Sequence, residues 1–430
     1  MLAAGECLKS TQSGRSLPTP TISYDVNPNQ ITVERSQDLV DGPTMVTIAI
    51  DPQSPIDANL LLRAVWAQMR ARFGRLEWQF TPRRFGSSQL IRFGWATLGD
   101  VSPNGVEISI QYQRRGVPNS ISFTPRGAIY ERYPNLDDDL RAAVSDASAT
   151  YLSPPDVKAA TQVCSWTGIP LNLYVTDRWK IAPLSNGSTE IGITVRAFDD
   201  IDRDYEFQVR LSPLLDLLSV LTNCVFEQAK NDLEANACEL PPDLYLEDTE
   251  WLDGAPIVDG RLRLEEIHIE FGNKIVTSAI DNDHRLLRSA RLFNEGLSLL
   301  RTSSKGDLAT VLLISALEAI SIQEDTSTCP SCGQTIYTIS KRVADLGTRH
   351  LGPGSAWIFE DHYGRRSQYL HAGKLYATQP MMNQVIPQLD PSAPEGCAMP
   401  RSMAWPHNLM EFTSFIIRQE IRDYMACPPI

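Results

Sequence analysis

The rhythm of apolar and polar positions changes part-way along the chain. Up to about residue 282, short runs of period two are mixed with short helical stretches; from Asp283 onward the period is helical almost throughout. In the first part, Val46–Ile50, Leu90–Thr97, Val106–Gln113 and Ser120–Thr124 alternate as half-buried strands do. Asn59–Phe73 carries Leu, Val, Trp, Met and Phe at helical spacing, with Gly74 as its stop. Asp137–Ala149 is expected to be a helix with acids in its first turn, where they suit the helix dipole. Leu171–Val175, Glu190–Ala197, Tyr205–Leu211 and Arg261–Phe271 again alternate as strands. Pro213–Asn223 forms a short apolar helix with its proline at the start.

The second part predicts five helices. Arg285–Arg301 places Leu286, Leu287, Ala290, Phe293, Leu297 and Leu300 on one stripe. Leu308–Gln323 is apolar nearly all round, so it belongs at the centre of a bundle, with Asp307 as its cap. Ile336–His350, Ala356–Ala372 and Asn408–Ala426 complete the set. Ser355 stands at the N-cap and Gly373 at the C-terminal stop of the fourth. Residues 1–45, rich in Ser, Thr, Pro and Asn, have little periodicity and read as an extended or mobile lead-in. The expected organisation is therefore 1–45 as this segment, 46–282 as one α+β domain, or two, of sensing or regulatory kind, and 283–430 as an all-α helical bundle.

Composition narrows the function classes. The net charge of −13 argues against a surface that coats nucleic acid indiscriminately. Residues 340–374 run against that background: Lys341, Arg342, Arg349, Arg365, Arg366 and Lys374 face only Asp345, Glu360 and Asp361, a local excess of three positive charges. The alternative meaning of such a run is a solvated helix face. No apolar run approaches the roughly 18–20 residues of a membrane span, and MLAAGECLKS lacks the basic and apolar regions of a signal peptide. Eight cysteines, mostly scattered, do not form a disulfide framework. These readings place the protein in the cytoplasm. Cys164, Cys224 and Cys238 have no ligand spacing and are expected to be buried thiols.

Candidate chemistry concentrates in Gly364–Lys374, GRRSQYLHAGK, where Arg366 and His371 are separated by four residues. Five residues along a helix put the two about 140° apart around the axis, so they can flank a groove but not share a stripe. Two such helices about a two-fold axis would put four groups around one cleft. Ser367 and His371, four apart, do share a stripe, and Gly364 suits close helix approach. An arginine and a histidine suit phosphodiester cleavage in RNA without a metal. The imidazole can take the 2′-hydroxyl proton or protonate the leaving 5′-oxygen. The guanidinium can hold the non-bridging oxygens as charge develops there. The product would carry a 2′,3′-cyclic phosphate.

Three segments together, ISALEAI at Ile314–Ile320, YTISKRVADL at Tyr337–Leu346 and YGRRSQYLHAGK, resemble the Apea-like branch of the HEPN superfamily. The resemblance covers about residues 285–426. It implies a HEPN-type helical bundle that associates as a homodimer or higher homo-oligomer and acts as a metal-independent endoribonuclease in anti-phage defence or a toxin-type system, answering a phage-derived or host trigger. It assigns Arg366 and His371 as catalytic, with Ser367 in the polar position after the arginine, where many members carry Asn or Asp. Glu318 matches the acid of the family's LEA-type helix, with Arg366 as its expected partner; an ordinary inter-helix salt bridge is the plainer meaning of that pair. The alternative is a non-catalytic HEPN-type bundle that binds RNA, nucleotide or a protein partner as a scaffold.

Cys329-Pro-Ser-Cys332-Gly333 is a knuckle of the kind zinc prefers, but it supplies half a tetrahedral site. Cys397 is the third candidate ligand, and Cys427, His350 or His407 the fourth. Paired or free thiols, or a redox role, are the other readings of the knuckle. A zinc here would be structural, and no cofactor is expected for catalysis.

Overall fold

The computed structural model describes residues 46–49, 55–74, 76–80, 91–98, 107–113, 120–125, 129–229, 251–254, 256–302, 305–321, 339–374, 388–389, 398–399 and 406–426. The fold is mixed α and β, and the chain divides into two compact units, Met1–Ser153 and Pro154–Ile430. No helix among the described residues is long and apolar enough to cross a membrane.

The first unit holds a five-stranded antiparallel sheet. Its strands are β1 (Val46–Ala49), β2 (Leu76–Phe80), β3 (Ile91–Leu98), β4 (Glu107–Gln113) and β5 (Ser120–Pro125), in the order β1-β5-β4-β3-β2. Helix α1 (Pro55–Phe73) precedes β2, and the short α2 (Ile129–Arg132) and longer α3 (Leu136–Thr150) follow β5. Helices α1 and α3 bury matching stripes at helical spacing: Leu61, Val65 and Met69 on one, Leu136, Leu140, Val144 and Ala147 on the other. Phe73 meets Tyr133 edge-on at 5.4 Å, and Arg72 pairs with Asp146 between the helices. Gly74 ends α1 at φ 77°, the left-handed region a glycine enters without strain. The strands and helices expected here are present; β2 and α2 are additional.

The second unit opens with another antiparallel sheet, of β6 (Asp156–Ser165), β7 (Tyr174–Val175), β8 (Trp179–Pro183), β9 (Thr189–Arg196) and β10 (Phe226–Gln228), in the order β10-β6-β9-β8-β7. In β9 every second residue, Ile191, Ile193 and Val195, is buried. Helix α4 (Asp200–Thr222) lies against β6 and β9. A small hairpin, β11 (Ile257–Val258) with β12 (Arg261–Leu262), leads into α5 (Glu266–Val276). Then come α6 (Arg285–Thr302), α7 (Gly306–Ser321), α8 (Ile339–Leu351), a 3₁₀ turn at Pro353–Ser355, and α9 (Ala356–Ala372). The short pair β13 (Gln388–Leu389) and β14 (Ala398–Met399) and the last helix, α10 (Pro406–Ala426), complete the chain. Helix α7 is buried on nearly all sides and packs against α6, α8, α9 and α10, the central place its composition predicts.

Two expected strands are helical. Tyr205–Leu211 is the first half of α4, and Pro213 lies inside that helix, not at its start. The Asp199 carboxylate accepts the Asp202 amide hydrogen at 2.8 Å and so starts the helix twelve residues or so before the proline. Phe207, Leu211, Leu214, Leu218 and Leu221 then make one buried stripe. Alternation over seven residues is too short to tell the two periods apart. Arg261–Phe271 is likewise a strand only at Arg261–Leu262; His268, Phe271, Gly272, Ile275 and Val276 carry a helical stripe that the strand reading cut off.

The compact unit also begins earlier than the expected boundary at 282/283. A single apolar core runs from Val163 to Ile421, and α4 packs directly on α6 and α10. Polar bonds cross the same boundary. Asn223, in the left-handed conformation at the end of α4, donates to Glu411 of α10; the Glu411 Oε1 accepts the Leu252 amide at 2.7 Å. Arg418, whose side chain is 3% exposed, binds Asp253 at 2.6 Å, Glu411 at 2.9 Å and the Val220 carbonyl at 3.2 Å. Burial pushes Glu411 upward, against the pull of Arg418, while Arg418 and Arg422 hold Asp253 below its ordinary value despite burial.

Arg418→Leu should therefore leave Glu411 without its counter-charge and Asp253 with Arg422 alone. The expected loss is about 3–5 kcal/mol of unfolding free energy, read by urea denaturation. Asp216 of α4 is a different case. Burial raises it to about 6, against the Asn294 hydrogen bond and the Arg291 charge that pull it down. Because its folded value lies above the unfolded one, stability should fall as pH rises from about 4 to 6 and stay flat above. Asp216→Asn should remove that fall and gain about 2–3 kcal/mol at neutral pH, seen as a higher melting temperature at pH 7.5 and none of the excess at pH 3.5.

Candidate functional site

Helix α9 is fixed by its inner side. Ile358, Phe359 and His362 are buried, and the Phe359 ring lies where Gly347 of α8 has no side chain; a Cβ there would come within 2.1 Å of it. This is the close helix approach of the region. Gly364, which the sequence suggested for that purpose, faces open space, with nothing within 4 Å of its Cβ position. Ser355 stands at the start of α9 without capping it: its hydroxyl instead donates to the Gly352 carbonyl at 2.9 Å. Gly373 does stop the helix as expected, left-handed at φ 63°, with its amide on the Tyr369 carbonyl at 3.0 Å.

From this frame Arg366 reaches back to α7. Its Nη2 donates to the Glu318 Oε2 at 2.8 Å, and its guanidinium lies 5.5 Å from the centre of the Tyr363 ring. The pair is largely enclosed, with side chains 20% and 15% exposed, and the Arg366 Nε is buried without a hydrogen-bond partner. Burial raises Glu318 above its ordinary value, against the Arg366 charge and a hydrogen bond from Ser315. His371 is exposed in the last turn of α9, and Ser367 is half-buried. The structure thus brings Arg366 and Glu318 together, while His371 projects from another side of the same helix.

The local positive excess is much reduced in three dimensions. Arg365 pairs with Asp361 at 2.9 Å within α9. Arg366 takes Glu318, and Arg349 takes Glu420 of α10 at 3.0 Å; both acids lie outside the stretch that was counted. Lys341 and Lys374 are exposed, so the remaining positive field is carried by few groups.

Two features escaped the sequence reading. His362, one turn before Arg366, is 1% exposed, and neither ring nitrogen has a partner; burial, then the Arg365 charge, lowers it to about 3, so it is neutral at physiological pH. Its spacing from Arg366 was visible but not its burial. The second is His350, Glu420 and Asp423, whose ligand atoms lie within 4.8 Å of one another. The sequence offers His350 only as a candidate fourth ligand beside the cysteines. An imidazole with two carboxylates is a donor set that can hold a divalent ion. Here the Glu420 Oε1 already meets the His350 Nε2 at 2.9 Å and Arg349, and Arg285 of α6 stands 3.9 Å from its other oxygen. Burial pushes Glu420 upward, but these three groups hold it below its usual value. Two guanidiniums on the ligand carboxylate oppose a dication, and the group acts as a clamp between α6, α8 and α10.

Cys329, Cys332, Cys397, Cys427 and Cys238 lie outside the described residues. Cys224 is buried and Cys164 half-buried. No family model, curated protein or solved structure matches the chain.

Gly347→Ala should force the Phe359 ring aside and loosen α9 from α8. The expected cost is about 1–3 kcal/mol, read by thermal denaturation, together with faster amide exchange along α9.

Proposed function

We propose that the chain is a metal-independent endoribonuclease of HEPN type, an effector that cleaves RNA through Arg366 and His371. The observation that carries this reading is Arg366 paired with Glu318 of α7, with an exposed His371 five residues further along α9: a guanidinium aligned by a charge-assisted bond, and an imidazole open to solvent at the helix end. His371 would move the 2′-hydroxyl proton, Arg366 would steady the phosphoryl oxygens, and Ser367 would lie beside the histidine. Cleavage leaves a 2′,3′-cyclic phosphate and a 5′-hydroxyl. Because Arg366 and His371 leave α9 in different directions, the reading places the working cleft between two copies of the chain, each giving one pair. The open face at Gly364 leaves room for a second helix.

In this reading the protein works in the cytoplasm in anti-phage defence or a toxin-type system. The part of the chain ahead of α6 receives the phage-derived or host trigger, and Cys329, Cys332 and Cys397 hold a structural zinc. The second reading, a bundle that binds RNA, nucleotide or a protein partner without cutting, draws support from the enclosure of Arg366, which is only 20% exposed.

His371→Ala separates them. It should lower RNA cleavage by about a hundredfold or more, with the circular-dichroism spectrum and the oligomer mass unchanged and RNA affinity within a few-fold of wild type. The wild type should cleave with chelator present. Undiminished cleavage by the variant assigns the activity elsewhere; no cleavage by either protein, with RNA still bound, selects the binding reading.

A further inference from the structure

The ribonuclease reading needs Arg366 to grip phosphate, and the geometry shows what stands in the way. A guanidinium binds phosphate best through two parallel N–H groups on one edge. In Arg366 one edge joins Nε to Nη2 and the other joins Nη2 to Nη1. Nη2 is on Glu318 at 2.8 Å, and Nε is buried. With Nε buried, the Nη2–Nη1 edge is the one left for a phosphate, and Glu318, bonded to Nη2, sets a carboxylate charge against it. Tyr363 covers a face of the group and leaves its edges alone.

Resting on that reading, we propose that Glu318 occupies the anion site of Arg366, and that an RNA phosphate binds by replacing the Glu318 carboxylate on Nη2. The occupant is of the right kind: a planar oxyanion on the same nitrogen that a phosphate oxygen would take. The exchange is also feasible. Glu318 is 15% exposed rather than sealed, and the Arg366 side chain is 20% exposed. Ser315, one turn earlier on α7, bonds Glu318 and can keep the carboxylate on its own helix once the arginine turns away. Glu318 is then a competitor of the substrate, in contrast to a fixed support that would help Arg366 bind it.

The two roles have opposite signs under Glu318→Gln. The amide keeps the shape but loses the charge, and a bond to a neutral group is the weaker one. Inorganic phosphate, added to the full-length protein and followed by isothermal titration, should bind the variant roughly five- to tenfold more tightly than wild type. Glu318→Gln with Arg366→Gln should lose the gain. Equal or weaker phosphate binding by the single variant overturns the proposal. A crystal of the wild-type protein in high phosphate gives a second measure that needs no variant: a phosphate oxygen should take the place of the Glu318 carboxylate on Nη2, and phosphate bound to Arg366 with the Arg366–Glu318 bond intact overturns the exchange. Neither measurement reads cleavage, so failure here leaves the His371 test of the ribonuclease reading untouched.

Discussion

The second unit depends on a buried positive charge. Arg418 sits in the middle of α10, and a guanidinium there is tolerated only if nearly all of its donors are met. They are met by groups from three separated parts of the chain: the Val220 carbonyl near the end of α4, Asp253, and Glu411 with Ser414 on its own helix. Each fixes the position of the others. Asn223 must turn left-handed at the end of α4 for its amide to reach Glu411, and the Leu252 amide must face the same carboxylate. Helix α4, the Leu252–Asp253 segment and the last helix are thereby held in one arrangement, which apolar packing alone would leave freer to slide.

The candidate site hangs from this arrangement at one remove. Helix α10 packs on α7 and α8, and these two carry α9. Glu420, two residues beyond Arg418, draws in Arg349 and His350 of α8 and Arg285 of α6. The helix that presents Arg366 and His371 is positioned by Phe359 filling the place of a side chain at Gly347, and by the Arg366–Glu318 bond itself. The bond serves orientation and, on the proposal above, occupancy: a single ion pair at a phosphate site has both consequences.

The helices of the second half were legible in the sequence because each buries a stripe long enough to repeat its period several times. Ala356–Ala372 is bounded as its pattern and Gly373 indicate. Tyr205–Leu211 and Arg261–Phe271 misled because two or three alternating residues satisfy both periods, and what decided them, Asp199 at a cap and a core contact at Ile275, lay outside the window. At the site, the pairing of Arg366 with Glu318, 48 positions apart, could be anticipated only through the resemblance of the helix around Glu318. The burial of His362, the vacant face at Gly364 and the neutralisation of the basic run by Glu318 and Glu420 could not. Each depends on which surface another element covers, and charge counted along a chain takes no account of acids that arrive from elsewhere in the fold.

The left-handed Asn223 has a bearing on how this chain can be divided. It closes α4, yet its amide serves a carboxylate 188 residues further on. A boundary drawn at the change of sequence rhythm, near residue 283, would separate that amide from its acceptor and Arg418 from Val220 and Asp253. The helices beyond 283 would then have a charged seam open to water where they now have a dry one. The compact unit thus begins just ahead of the strand at Asp156, and the helices beyond 283 are the larger part of a unit that opens with a sheet and α4.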